Sequence, residues 1–154
     1  MTRLLFVCLG NICRSPLMEG VVRARLAQVG REHEFELDSA GLGDWHAGEP
    51  PDPRTIVVAR RHGIDISQQR ARGFVDADYQ RFDRILCADL GNLEVLRRRA
   101  PTHAVAECAL YLDWTGVQPN GEVPDPYTGT ARDFEIAFAL VDRGAAGLLK
   151  RFNA

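Results

Sequence analysis

The sequence predicts an α/β fold, a three-layer sandwich in which helices cover both faces of a mostly parallel four-stranded sheet. A continuous apolar run at residues 3–8 is typical of a strand buried on both faces. Strand-like and helix-like segments alternate along the chain, which is the pattern of βαβ units. Its 154 residues, 45% hydrophobic and 26% charged, have the length and composition of one globular domain, which we assign to residues 1–154.

The predicted strands are residues 3–8, 35–39, 84–88 and 104–107. The first helix is predicted to have Ser15 as its N-cap and Pro16 in its first helical position, and to stop at Gly30. Thr130 and Asp133 form an acidic capping box for the last helix. Further helices are predicted at residues 54–62 and 89–96.

Ligands of such sheets bind beyond the carboxyl ends of the strands, so the loops at that edge are the candidates for function. One of these loops directly follows Cys8. Two more are long and rich in glycine and proline, residues 41–53 and 113–129.

Composition excludes several classes of protein. A net charge of −2 and a pI near 6.1 argue against a nucleic-acid binder or a polybasic membrane binder. The N-terminal apolar run is too short for a membrane span and lacks a cleavage site, so we expect no membrane insertion and a cytoplasmic location. In a cytoplasmic protein the four cysteines should be reduced thiols. They contain no Cys-x-x-Cys pair, so we expect no structural zinc site, and we predict no metal and no cofactor.

The informative segment is Cys8-Leu9-Gly10-Asn11-Ile12-Cys13-Arg14-Ser15, here called the Cys8 loop, between the first strand and the first helix. A loop that enters a helix N-terminus points backbone N–H groups at a common centre and favours an anion there. The same environment favours the thiolate form of a cysteine. Arg14 offers a two-pronged donor for phosphoryl oxygens, so the segment predicts a phosphate-binding loop with a nucleophile at its base.

Other interpretations of these residues are weaker. Cys8 could be a buried strand residue with Arg14 as a surface charge, but the strand–loop–helix context argues against this. A nucleotide P-loop is excluded because Gly-x-x-x-x-Gly-Lys is absent. Attack on a phosphate ester also needs a proton donor for the leaving oxygen, and Asp125, between Pro124 and Pro126, is the best candidate. We interpret Cys87 as inert core.

The Cys8 loop followed by Pro16, together with Asp125-Pro126-Tyr127 near the C-terminus, resembles the low-molecular-weight protein tyrosine phosphatases. Asp38-Ser39-Ala40-Gly41, Trp45-His46, residues 48–54 and His62-Gly63-Ile64 are also similar to that family, so the resemblance spans nearly the whole chain.

The resemblance implies a role for each matching position. Cys8 would be the nucleophile, Arg14 would bind phosphate and stabilise the transition state, and Asp125 would act as acid and then base. Trp45 and Tyr127 would wall the substrate cleft. The supporting residues of the phosphate-binding loop would be Leu9, Gly10, Asn11, Ile12, Cys13 and Ser15. Cys13 would also be a redox partner of the nucleophile, and His46 and His62 we interpret as structural.

The predicted function is metal-independent hydrolysis of phosphotyrosine in proteins by a monomer. A thiol-dependent arsenate reductase uses a similar loop, but it needs a closely spaced further cysteine pair, whereas Cys87 and Cys108 are 21 residues apart. A non-catalytic phosphoprotein-binding module is the alternative from another class. Such a module would need neither the nucleophile Cys8 nor the acid Asp125.

Overall fold

The computed structural model describes residues 1–154 and contains one sheet of four parallel strands, in the order β2-β1-β3-β4. The strands are β1 (Thr2–Cys8), β2 (Phe35–Gly41), β3 (Arg84–Cys87) and β4 (Glu107–Leu110). Because β1 pairs with β2 on one side and with β3 on the other, the order of connection reverses at β1. The crevice beyond the carboxyl end of β1 is therefore the expected ligand site.

Six helices connect and cover the strands, and a short 3₁₀ helix, Glu32–Glu34, precedes β2. They are α1 (Arg14–Gln28), α2 (Pro53–Arg61), α3 (Asp78–Arg81), α4 (Leu90–Arg99), α5 (Tyr111–Trp114) and α6 (Ala131–Arg151). None of them combines the length and the apolar character that crossing a bilayer requires.

The alternating side chains of β1 divide the core into two layers. Leu4 and Phe6 are fully buried in a cluster that also contains side chains of α1, α2 and α6. Leu5 and Val7 are fully buried in a second cluster, on the other face, with side chains of α3 and α4. The predicted three-layer α/β architecture is thus confirmed, and the sheet is parallel throughout.

The start of α1 differs from the prediction. Cys13, not Ser15, is the N-cap residue, and no side chain caps the helix. The hydroxyl of Ser15 is instead hydrogen-bonded to the thiol of Cys8 and to the side-chain amide of Asn11. Pro16 is tolerated in the first turn because the N–H groups there have no intrahelical acceptor.

The fourth strand was predicted at residues 104–107 but spans Glu107–Leu110. Residues 104–106 have no regular secondary structure, and the N–H groups of Val105 and Ala106 both donate to the carbonyl oxygen of Tyr79 in α3. The ladder then begins with Glu107 opposite Arg84. The other boundaries lie within a few residues of those predicted, and the capping boxes at Asp89 and Thr130 are present.

Candidate active site

The Cys8 loop leaves the carboxyl end of β1 and turns directly into α1. Asn11 adopts the left-handed conformation, with φ 57°, which reverses the chain inside the loop. The carbonyl oxygens of Cys8, Leu9 and Ile12 accept hydrogen bonds from Leu42, Gly43 and Asp52 in the surrounding loops. None of the N–H groups of residues 9–13 donates to an acceptor within the protein. The loop therefore presents unpaired donors at a helix N-terminus, which is the arrangement that binds an anion.

Cys8 lies at the base of this loop and is 3% exposed. Its Sγ is 3.1 Å from the Oγ of Ser15, and the Ser15 N–H donates to the same sulfur at 3.4 Å. Asn11 Nδ2 donates to Ser15 Oγ at 2.7 Å. Because that contact occupies a lone pair of the Ser15 oxygen, the hydroxyl hydrogen is free to point at the sulfur, where it stabilises a thiolate.

The side chain of Asn11 is held from behind the loop. Its Nδ2 also donates to Ser39 Oγ at 3.0 Å, and its Oδ1 accepts from the backbone N–H of Arg72 at 3.0 Å. The guanidinium of Arg72 donates to both carboxylate oxygens of the buried Asp78, at 3.0 and 3.1 Å, and to Asp38 at 3.0 Å. Every polar hydrogen and the oxygen of the Asn11 amide thus has a partner.

Arg14 is 4% exposed and its Nη1 donates to Asp89 Oδ2 at 2.7 Å and to the carbonyl oxygen of Val123 at 3.0 Å. Burial by itself would lower the pKa of Arg14, but the hydrogen bond to Asp89 and the negative groups around it together outweigh burial. The pKa of Arg14 therefore lies above its usual value, and the side chain is a fixed cation beside Cys8.

Asp125 lies beside Arg14. Its Oδ2 is 3.8 Å from Nη2 of Arg14, and its Oδ1 accepts the backbone N–H of Tyr127 at 3.1 Å. About half of the Asp125 side chain is exposed, so this carboxylate faces the solvent-accessible side of the site.

These groups surround one pocket with a volume of about 240 Å³. Trp45 and Tyr127 stand at its rim with 61% and 48% of their surface exposed. The residues that line the pocket are Cys8, Leu9, Gly10, Ile12, Cys13, Arg14, Trp45, His46, Asp125 and Tyr127. The structure thus brings together the three predicted catalytic residues and both predicted cleft residues. Asn11 and Ser15 of the Cys8 loop are buried and do not line the pocket.

The two histidines that were interpreted as structural differ in position. His46 lines the pocket and its Nδ1 is paired with Glu49, so it belongs to the site rather than to the core. His62 stacks on Phe138 at 3.9 Å and bonds to Glu135, away from the pocket.

The remaining thiols are held in the neutral form by burial. Burial raises the pKa of Cys13 to about 12, and the negative charge of Asp52 acts in the same direction. Burial also raises the pKa of Cys87, far above the usual value, and its Sγ contacts the carbonyl oxygens of Asp89 and Ala109.

Asp89 and Arg72 were not predicted as site residues. Asp89 is the first residue of the segment predicted as a helix, residues 89–96. Its Oδ1 caps α4 by accepting from the N–H of Asn92 at 2.8 Å, while its Oδ2 accepts from Arg14. Its place directly after the predicted strand at residues 84–88 was a usable signal, because that strand ends at the ligand-binding edge. No local pattern marks Arg72.

The chain is thus an α/β protein with an all-parallel sheet, in which a thiol, an arginine and a carboxylate surround a loop of unpaired N–H groups, the arrangement of an anion-binding loop. Residues 3–154 match the family model described as low molecular weight phosphotyrosine protein phosphatase. The chain therefore belongs to the low molecular weight phosphotyrosine protein phosphatase family.

Individual relatives agree with this assignment. The chain is 43% identical over 150 residues to the low molecular weight protein-tyrosine-phosphatase of Streptomyces coelicolor, covering 96% of this chain and 91% of that protein. It is 36% identical over 150 residues to the low molecular weight phosphotyrosine protein phosphatase of Sus scrofa, covering 96% and 93%. The crystal structure of YfkJ from Bacillus subtilis superposes with a TM-score of 0.90 at 37% identity, covering 99% and 95%.

Proposed function

We propose that this chain hydrolyses phosphotyrosine in proteins, and small aryl phosphates, through a cysteinyl-phosphate intermediate and without a metal ion. The observation that carries the proposal is that Cys8, Arg14 and Asp125 line one pocket, whose floor is the loop with the unpaired N–H groups of residues 9–13. A phosphoryl group in this loop would have a nucleophile below it, a cation beside it and a carboxyl group on its open side.

In the first step the Cys8 thiolate attacks phosphorus and the bond from phosphorus to the phenolic oxygen breaks. Asp125 donates its proton to the departing oxygen, so that a phenol leaves rather than a phenolate. Arg14 and the loop N–H groups stabilise the charge on the equatorial phosphoryl oxygens. The product of this step is a phosphorylated Cys8 with Asp125 as carboxylate.

In the second step the Asp125 carboxylate takes a proton from a water molecule, which attacks phosphorus. The sulfur–phosphorus bond breaks, inorganic phosphate leaves, and Asp125 is again protonated. The hydroxyl of Ser15, 3.1 Å from the sulfur, donates a hydrogen bond to the thiolate as it departs. Both steps use only groups of this chain, the substrate and water.

The rim of the pocket supports an aromatic substrate. Trp45 and Tyr127 expose large apolar surfaces on the rim, while the sulfur lies at the base. A tyrosine ring can lie between the two side chains and carry its phosphoryl group down to the sulfur. A phosphoserine side chain is too short to reach a recessed nucleophile.

The experiment that tests this function compares phosphotyrosine and phosphoserine peptides of the same sequence, in the presence of EDTA. We expect rapid phosphate release from the first peptide and little from the second. Hydrolysis that EDTA abolishes, or equal rates on both peptides, would contradict the proposal. Binding without hydrolysis would indicate the phosphoprotein-binding module, and thiol-dependent reduction of arsenate without phosphatase activity would indicate the reductase.

The proposal extends to the domain organisation, the location and the partners of the protein. We infer that residues 1–154 act as a single domain, because both hydrophobic clusters pack on one sheet. We also propose that the protein is cytoplasmic and monomeric, that its partners are phosphotyrosine-containing proteins, and that nucleic acid is not among them.

Redox control of the site follows from the positions of two thiols. Cys8 and Cys13 line the same pocket, and both are nearly buried. Peroxide converts a Cys8 thiolate to a sulfenic acid with loss of hydroxide. Attack by the Cys13 thiolate on that sulfur then forms a disulfide and releases a second hydroxide, and a dithiol restores both thiols.

We expect peroxide to inactivate the enzyme, phosphate to protect it, and dithiothreitol to restore activity. Because burial raises the pKa of Cys13 to about 12, little of it is thiolate at neutral pH, and disulfide closure should accelerate as the pH rises. Cys13→Ser should keep phosphatase activity but lose the fraction recoverable after peroxide. Peptide mapping checks the linkage: recoverable activity without a Cys8–Cys13 disulfide would mean that Cys13 only packs the loop.

A further inference from the structure

Arg54, in the first turn of α2, is tied to the Cys8 loop through Asp52. The carboxylate of Asp52 accepts from Nε of Arg54 at 3.0 Å and from Nη2 at 2.9 Å, and Asp52 is 9% exposed. The backbone N–H of Asp52 donates to the carbonyl oxygen of Ile12 at 2.9 Å. The guanidinium of Arg54 therefore has a fixed position relative to the loop that would hold phosphate.

The same guanidinium lies against two aromatic rings. Its central carbon is 5.4 Å from the ring centroid of Tyr127 and 4.6 Å from that of Phe134 in α6. Phe134 is buried, so it supports the guanidinium from below. Tyr127 makes no aromatic pair and its hydroxyl makes no hydrogen bond within the protein, so the cation–π contact with Arg54 is what orients its half-exposed ring.

The position of Tyr127 also affects the proposed acid. The backbone N–H of Tyr127 donates to Asp125 Oδ1, so the two residues move together. Arg54 thus connects the two sides of the pocket, from Ile12 through Asp52 to Tyr127. The bidentate ion pair balances the charge of Arg54, which indicates a positioning role rather than direct binding of phosphate.

We propose that Arg54 is a specificity-positioning residue, which holds the ring of Tyr127 as the wall against which the aromatic part of the substrate packs. This inference rests on the proposed function, because it assigns the selection of aryl over other phosphates at the same site. It predicts that Arg54 affects recognition of an aryl group and leaves recognition of the phosphoryl group unchanged.

The test measures binding of phenylphosphonate and of inorganic phosphate by calorimetry, and kcat and KM for phenyl phosphate. In Arg54→Gln we expect the phenylphosphonate dissociation constant and KM to rise about two- to fivefold, the size of an exposed cation–π contact, with phosphate binding unchanged. Arg54→Lys should restore part of the effect, because an ammonium keeps the charge but not the planar fork.

Arg61→Gln is the matched control. Arg61 lies on the same helix and is paired with Glu135 at 3.4 Å, so its substitution removes the same charge. Binding of phenylphosphonate and phosphate, and kcat and KM for phenyl phosphate, should stay at their wild-type values. A second control is the Tyr127→Leu background, in which Arg54→Gln should have no further effect on phenylphosphonate binding.

Three results would overturn the inference: parallel losses in phosphonate and phosphate binding, no loss in either, or the same loss in Arg61→Gln. The binding measurements need no turnover. If the wild-type protein has no phosphatase activity, the proposed function is refuted. The ratio of the dissociation constants of phenylphosphonate and inorganic phosphate would still decide the role of Arg54.

Discussion

Cys8→Ser is expected to abolish turnover, with a loss on the order of 10⁴–10⁶-fold in kcat, the scale seen when a covalent nucleophile is removed. Serine fits the space of the buried thiol and can keep the contact with Ser15, but its hydroxyl is not ionised at neutral pH. The N–H groups of the loop and Arg14 are unchanged. The variant should therefore still bind inorganic phosphate, measured by calorimetry, while releasing none from phenyl phosphate.

Cys108→Ser is the control for the loss of a thiol elsewhere. Cys108 is partly exposed on β4 and does not line the pocket. We expect wild-type kcat from this variant. Substantial turnover by Cys8→Ser, above the level that wild-type contamination explains, would show that the reaction does not pass through a Cys8 phosphate.

Asp125→Asn is expected to lower kcat by about 10²–10⁴-fold for substrates with poor leaving groups, the usual contribution of general acid catalysis. Asparagine keeps the shape of the side chain and can still accept from Tyr127 N–H, but it cannot supply a proton. The value of kcat should fall most for phenyl phosphate and least for 4-nitrophenyl phosphate, because nitrophenolate leaves without protonation. A series of phenols of graded acidity measures this dependence.

Asp113→Asn makes the same change in another exposed carboxylate, which accepts from the backbone N–H of Asn120, seven residues further along the chain. In this variant kcat should depend on the acidity of the leaving phenol as it does in the wild type. An equal loss on all leaving groups in Asp125→Asn would assign Asp125 a structural role, namely support of Arg14 at 3.8 Å and of the Tyr127 backbone.

The predictable parts of this fold are those set by local pattern. Residues 4–8 are buried on both faces, and their continuous apolar character predicts the central position that β1 has in the sheet. The Cys8 loop could be recognised because its proposed nucleophile, its arginine and the N-terminus of α1 lie within eight residues of each other. Asp125 was found only because the chemistry of the loop requires a proton donor.

Features that depend on distant contacts could not be predicted. The helices α3 and α5 have four residues each, which is too short for a helical period to show. The start of β4 is set by Tyr79, which captures the N–H groups of the segment before it. The partners of Arg14, Asp89 and Val123, are 75 and 109 residues away in the sequence.

The separation of these partners along the chain has a consequence for biosynthesis. The proposed nucleophile at residue 8 leaves the ribosome long before Val123 and Asp125, the contacts of Arg14. The last helix, α6, then packs on α1 and carries Phe134, which supports Arg54. An unfinished chain would thus contain an ordinary cysteine without the surroundings that make it reactive. Sensitivity to peroxide and catalytic power should therefore arise together, once the residues through α6 have been synthesised and have folded.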